Sequence, residues 1–188
     1  MRLVTVGHGT LAAAGFASIL VAAGVTSLVD IRSAPGSRRL PHFGRRAMEV
    51  WLPDAGITYC WEPRLGGWRH PQPESPNGAL RNPSFRGYAD HMGSDEFRGA
   101  LHELLVGAER EPTAVMCSES LWWRCHRRLV ADAAVLLEGA EVLHLAHDGS
   151  LSPHRPSPEA VVTGGRLRYP PVTSLREEGG PPGANRTV

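Results

Sequence analysis

Between Val115 and Arg128 the chain gathers two thiols (Cys117, Cys125), a carboxylate (Glu119), an imidazole (His126) and three guanidinium groups (Arg124, Arg127, Arg128). Side chains of these types supply nucleophiles, proton carriers and anion clamps. Their placement is as telling as their identity. The apolar run Thr113–Cys117 predicts a strand, and the spacing from Arg124 to Leu137, stopped by Gly139, predicts a helix. The polar residues between them then lie where a strand's carboxyl end meets a helix's amino end, which is where open α/β folds hold ligands.

Two further strand ends carry matching chemistry. His8 follows the strand predicted over Leu3–Val6, and Asp30 and Arg32 follow the one predicted over Val25–Ile31. If the three strands are neighbours, His8, Asp30, Glu119, Cys125 and His126 become a candidate catalytic set around one crevice. Asp30 beside Arg32 reads as the ionised carboxylate, and Glu119 beside Trp122 and Trp123 as the proton donor. Cys125, flanked by Arg124, His126 and Arg127 at a helix start, is a candidate nucleophile, although a Cys and an Arg with five residues between them, the phosphatase-loop pattern, do not occur here. Arg32, Arg38, Arg39, Arg127, Cys117 and Tyr88 are candidate substrate contacts. Cys117, Cys125, His126 and His8 also have metal-ligating side chains. Against a metal, the thiols are not closely spaced, and neighbours on a helix, as Cys125 and His126 would be, point in different directions. No cofactor is therefore assigned.

The intervening elements alternate. Leu11–Ala23 predicts a helix with Thr10 as its cap, and Gly44 to Pro53 or Ala55 a second one before a strand over Ile57–Trp61. Helical spacing returns over Phe85–Met92 and over Asp95–Gly107, the latter capped by Ser94. A fifth strand follows at Glu141–Leu145, and Ala160–Thr163 and Arg166–Tyr169 flank Gly164-Gly165 as a hairpin. The expected fold is a single three-layer α/β domain over residues 1–170, with a mainly parallel sheet of about five strands, helices on both faces and a small C-terminal β-hairpin. Residues 171–188 are expected to form a disordered tail.

The motifs Thr5-Val6-Gly7-His8-Gly9, Val29-Asp30-Ile31-Arg32-Ser33, Leu65-Gly66-Gly67, Phe85-Arg86-Gly87-Tyr88-Ala89 and Met116-Cys117-Ser118-Glu119 followed by Cys125-His126-Arg127 together resemble the domain of unknown function 488 family. The resemblance implies a bacterial or archaeal α/β domain and no particular activity. That family commonly has Gly-His-Ser after the first strand. This chain has Gly-His-Gly, with Thr10 as the nearest hydroxyl.

Composition narrows the setting. The formal charge is +1 at pH 7, and all 20 basic residues are arginine. The loop Arg32–Arg46 contains Arg32, Arg38, Arg39, Arg45 and Arg46 and no acid. The segment Glu62–Phe85 continues the pattern with Arg64, Arg69 and Arg81 beside Trp68 and Phe85, and Arg86 follows. Guanidinium groups with aromatic faces suit phosphates and stacked bases. The three cysteines are an odd number in a chain too long to need stapling, which argues against a disulfide framework and points to a reducing cytoplasm. The uncharged stretch Thr10–Val29 changes from helical to strand-like at Gly24, which argues against a membrane span. The expectation is an enzyme acting on nucleic acid or a nucleotide-like phosphate-bearing substrate, by hydrolysis or transfer at a nucleoside or phosphoester centre. The alternatives are a non-catalytic nucleic-acid-binding module and a redox or metal-binding protein.

Overall fold

Apolar runs too short for helices form the centre of the molecule. In the computed structural model, which describes residues 1–36 and 38–171, these runs become the strands β1 (Arg2–Gly7), β2 (Ser27–Asp30), β3 (Thr58–Trp61), β4 (Thr113–Cys117) and β5 (Glu141–Leu145). All five are parallel. A sixth strand, β6 (Leu151–Pro153), pairs antiparallel with β5, giving the order β3-β2-β4-β1-β5-β6. β4 is buried along its whole length, as expected of a strand covered on both faces. β1 and β2 do not touch, because β4 lies between them, pairing Gly7 with Cys117 and Asp30 with Met116.

The period-2 alternation of these strands divides the core. Val4, Val6, Leu28, Ala114 and Met116 face α1 (Ala13–Ala22) and α2 (Arg45–Asp54) through Phe16, Leu20, Met48 and Leu52. Leu3, Val115 and Val142 face the other layer, formed by α3 (Pro83–Met92), α4 (Asp95–Arg110) and α5 (Arg127–Glu138). β7 (Val161–Thr163) and β8 (Arg166–Arg168) form the C-terminal hairpin, and Leu167 anchors it in this second cluster. The fold is thus the expected three-layer α/β arrangement with one extra edge strand. That strand is three residues long, too short for a sequence period to show.

Element ends follow local chemistry. Ser94 caps α4 by accepting from the Phe97 N–H, as its position predicted. Thr10 does not cap α1, which begins after Ala12 without any side-chain cap. The helix expected from Arg124 begins instead at Arg127, because Cys125 is extended at φ −124° and ψ 153° and Trp122–Arg124 form a separate 3-10 turn. The uncharged stretch 10–29 divides into α1 and β2, and among the described residues no helix is long and apolar enough to cross a membrane. The expected tail lies, from residue 172 onward, outside the described residues.

Candidate functional site

Because β4 lies between β1 and β2 and all three run parallel, their carboxyl ends open onto one crevice. A cavity of about 590 Å³ lies there, lined by His8, Arg32, Cys117, Glu119, Cys125 and His126 among others. Six residues predicted from three separate segments therefore meet. Ser33, Gly67, Trp68, Phe85 and Arg124 complete much of the wall, and Trp68 is 87% exposed at its rim.

Other predicted residues stand behind the wall or outside it. Asp30 is fully buried and does not line the cavity. Its carboxylate accepts from Arg32 Nε at 2.8 Å and Nη2 at 2.5 Å, and from the Tyr59 hydroxyl at 2.7 Å. Arg32 Nη2 also donates to the Phe43 carbonyl, which leaves Nη1 as the guanidinium nitrogen held by neither. Asp30 therefore positions Arg32 from behind the cavity wall. Tyr88 is buried too, donating its hydroxyl to the Leu65 carbonyl while its ring packs 5.0 Å from that of His126.

Arg127, expected to bind phosphate, is 1% exposed and turns inward. Its Nη2 donates to the Glu119 and Ser120 carbonyls, while its Nε is buried without a partner among the described residues. The guanidinium thus clamps the loop after β4 from behind. Arg38 and Arg39 are exposed on the 32–43 loop and do not line the cavity. Several other arginines are engaged internally: Arg45 with Glu49, and Arg64 with Glu62 and Glu103. Glu119 is exposed, and no tryptophan pocket encloses it, because Trp122 stacks on His144 at 4.0 Å and 6° and Trp123 faces solvent.

His8 is held as a neutral imidazole. Its Nδ1–H donates to the Gly9 carbonyl at 2.9 Å, and its Nε2 accepts from Arg32 Nη1 at 3.4 Å. Burial first, and then the Arg32 charge, lower its pKa to about 4. Phe43 stacks on the ring at 4.0 Å.

The thiol side of the cavity is more closely built. His126 donates Nε2–H to the Ile31 carbonyl at 3.1 Å, which fixes the tautomer and turns the Nδ1 lone pair toward Cys125 Sγ at 3.6 Å and Cys117 Sγ at 3.9 Å. Adjacent Cys125 and His126 converge, contrary to the sequence expectation, because both precede the first turn of α5 and Cys125 has extended backbone. Gly67 packs against the imidazole so closely that a Cβ there would lie 2.4 Å from Nδ1. The thiols share their protons unequally. The hydrogen bond with Cys125, then burial, push Cys117 up to about 12. For Cys125 burial opposes ionisation, but the Cys117 hydrogen bond and the Arg127 charge and backbone N–H outweigh it and bring the pKa to about 6.

One cluster gave no sequence signal. The Thr5 hydroxyl donates to His144 Nδ1 at 2.7 Å, His144 Nε2–H to His154 Nδ1 at 2.9 Å, and His154 Nε2–H to Asp132 Oδ1 at 2.9 Å. Asp132 also accepts from Ser157 N–H and hydroxyl and from the Tyr169 hydroxyl. Its partners lie 22, 25 and 37 residues away, so no local pattern announces it.

Fold and site together define an α/β domain with a thiol- and arginine-bearing crevice at the carboxyl edge of a parallel sheet. The chain belongs to the family described as Domain of unknown function DUF488, whose model matches residues 13–134. The matched span contains Asp30, Gly67, Tyr88 and the Cys117–Arg127 run. It begins after β1, so His8 lies outside it. The family habit of serine after Gly-His is disfavoured in this arrangement: Gly9 has the left-handed φ of +53°, a Cβ there would require the Ser120 hydroxyl and the His147 ring to shift, and Thr10 is exposed and does not line the cavity. No curated protein and no solved structure matches the chain.

Proposed function

We propose that the protein is an enzyme acting on a nucleotide-like, phosphate-bearing substrate or on nucleic acid, by hydrolysis or transfer at a nucleoside or phosphoester centre. The observation that carries this reading is the meeting of Arg32, Arg124, His8, Glu119, Cys125 and His126 on one cavity. Arg32 is pre-oriented by Asp30, so it meets an anion with little ordering cost. Arg124 and the amino end of α5 supply further positive potential. Trp68 and Phe85 offer aromatic faces to a base. Glu119 is the carboxylate free to take a proton from an attacking water, and neutral His8 adds a polar contact without charge. A reducing cytoplasm suits this assignment, since all three cysteines are free thiols.

A panel of nucleotides and short single-stranded DNA and RNA, screened for binding by calorimetry and for turnover by chromatography, tests the reading. Glu119→Gln is expected to retain binding and lose turnover by about 100-fold or more, and Arg124→Ala to weaken binding. A second reading, a non-catalytic nucleic-acid-binding module, draws on the exposed Arg38 and Arg39. It would prevail if salt-sensitive binding occurred with no turnover in any arm. Absence of both binding and turnover across the panel would refute the proposal.

A further inference from the structure

We propose that Cys117, Cys125 and His126 form a binding site for a single thiophilic divalent cation, zinc by preference, with the fourth coordination position open to the cavity. Three observations converge on it. The two Sγ atoms and Nδ1 lie within 4.8 Å of one another, and all three residues are buried. Around tetrahedral zinc, sulfur at about 2.3 Å and nitrogen at about 2.0–2.1 Å put S and N about 3.6 Å apart. The separations of 3.6 Å for Cys125 Sγ to His126 Nδ1 and 3.9 Å for Cys117 Sγ to His126 Nδ1 fall close to that edge length.

The second observation is the imidazole itself. Donation of Nε2–H to the Ile31 carbonyl is the outer contact by which ligating histidines are commonly oriented, and it leaves one Nδ1 lone pair facing two thiols. A single lone pair cannot accept from both S–H groups, whereas it and both sulfurs can donate to one cation. The third is what surrounds the set. Gly67 and Tyr88 fix the ring in place, yet all three ligand residues line the cavity wall. Three protein ligands and an accessible fourth position characterise catalytic zinc, while structural zinc is closed by four. On binding, the thiols ligate as thiolates and any protons they carry pass to solvent. Cys60 is exposed on β3, outside the cluster, and takes no part.

The full chain, kept reduced with a phosphine and dialysed against metal-free buffer after loading with zinc, is expected to retain one zinc per chain by elemental analysis. Cobalt substituted for zinc is expected to give sulfur-to-metal charge transfer in the near ultraviolet and the visible bands of four-coordinate cobalt. Cys60→Ser should leave both unchanged, while Cys117→Ser and His126→Ala should each lower zinc affinity by at least about 100-fold, the upper end of what losing only an outer contact costs. Should those variants fail to fold, the wild-type cobalt spectrum still decides, because the charge-transfer band requires thiolate ligands. Substoichiometric zinc, a six-coordinate cobalt spectrum, or zinc retained in both Cys117→Ser and Cys125→Ser would overturn the site. Zinc held without binding or turnover of any nucleotide would remove the functional proposal and leave the metal site standing. Turnover by protein that retains no zinc after loading would do the reverse.

Discussion

His144 makes acid stability a quantitative test of the buried Thr5–His144–His154–Asp132 chain. Burial first, and then the proximity of the His154 ring and the charge of Arg127, lower the His144 pKa from 6.5 to about 3. In the unfolded chain it titrates at its ordinary value. As the pH falls below about 6.5 the unfolded state therefore takes up a proton that the folded state refuses, and stability declines until the folded value is reached. At pH 4.5, about two pKa units into this window, the loss is about 2–3 kcal/mol at 1.36 kcal/mol per unit. His8, lowered to about 4, loses stability over the same range.

His144→Gln separates the two contributions. The glutamine amide can still donate to His154, but it removes the titrating ring and leaves the Thr5 hydroxyl without an acceptor, at a cost of about 1–3 kcal/mol at pH 7. Urea unfolding of both proteins between pH 7 and pH 4.5 should show the wild type's advantage shrinking by about 2–3 kcal/mol across the interval, as the only difference in titration lies at residue 144. The His8 contribution is common to both and cancels. An advantage that stays constant with pH would show that His144 protonates equally in folded and unfolded chains, and the directed hydrogen-bond chain would be wrong.

Further expectations follow from the site. Asp30→Asn should destabilise the protein by about 3–5 kcal/mol in chemical denaturation, because it leaves the Arg32 guanidinium buried without its counter-ion; a loss within 0.5 kcal/mol, roughly the range for a surface change, would contradict the pairing. Gly67→Ala pushes a methyl group into the His126 ring, so bound cobalt should lose its four-coordinate spectrum while urea unfolding shows a loss of about 1–3 kcal/mol; an unaltered spectrum would mean that the ring is not held as described. Arg127→Met, which releases the Glu119 and Ser120 carbonyls, should raise amide hydrogen exchange in residues 118–121, and unchanged protection there would rule out the clamp.

Much of this architecture was legible in the sequence, because strands covered on both faces are continuous apolar runs and amphipathic helices repeat on their own period. β4 and α4 are cases in point, as is the hairpin turning at Gly164-Gly165. His8, Arg32, Cys117, Glu119, Cys125 and His126 were identifiable because each lies at or just beyond a strand end or before a helix. What failed was direction. Arginine is usually a surface residue, so nothing about Arg127 announces that it turns inward to two carbonyls. Asp30, a candidate catalytic carboxylate, and Tyr88, a candidate substrate contact, are held behind the wall by Arg32, Tyr59 and Leu65. The convergence of Cys125 and His126 depended on where α5 starts, which three residues of 3-10 turn displaced. The Asp132 cluster depends on partners supplied by a distant segment, which local pattern cannot reveal.

The strand order has a consequence for how the chain is made. β1 and β2 emerge early in synthesis, but the strand that bonds to both is β4, beginning at Thr113. A nascent chain halted before that point has its first two strands without the ladder that joins them, and the crevice without its floor. The ribosome must therefore deliver well over half of the polypeptide before the sheet can close, so premature termination upstream of Thr113 yields a fragment with exposed strand edges, the kind that chaperones and proteases recognise.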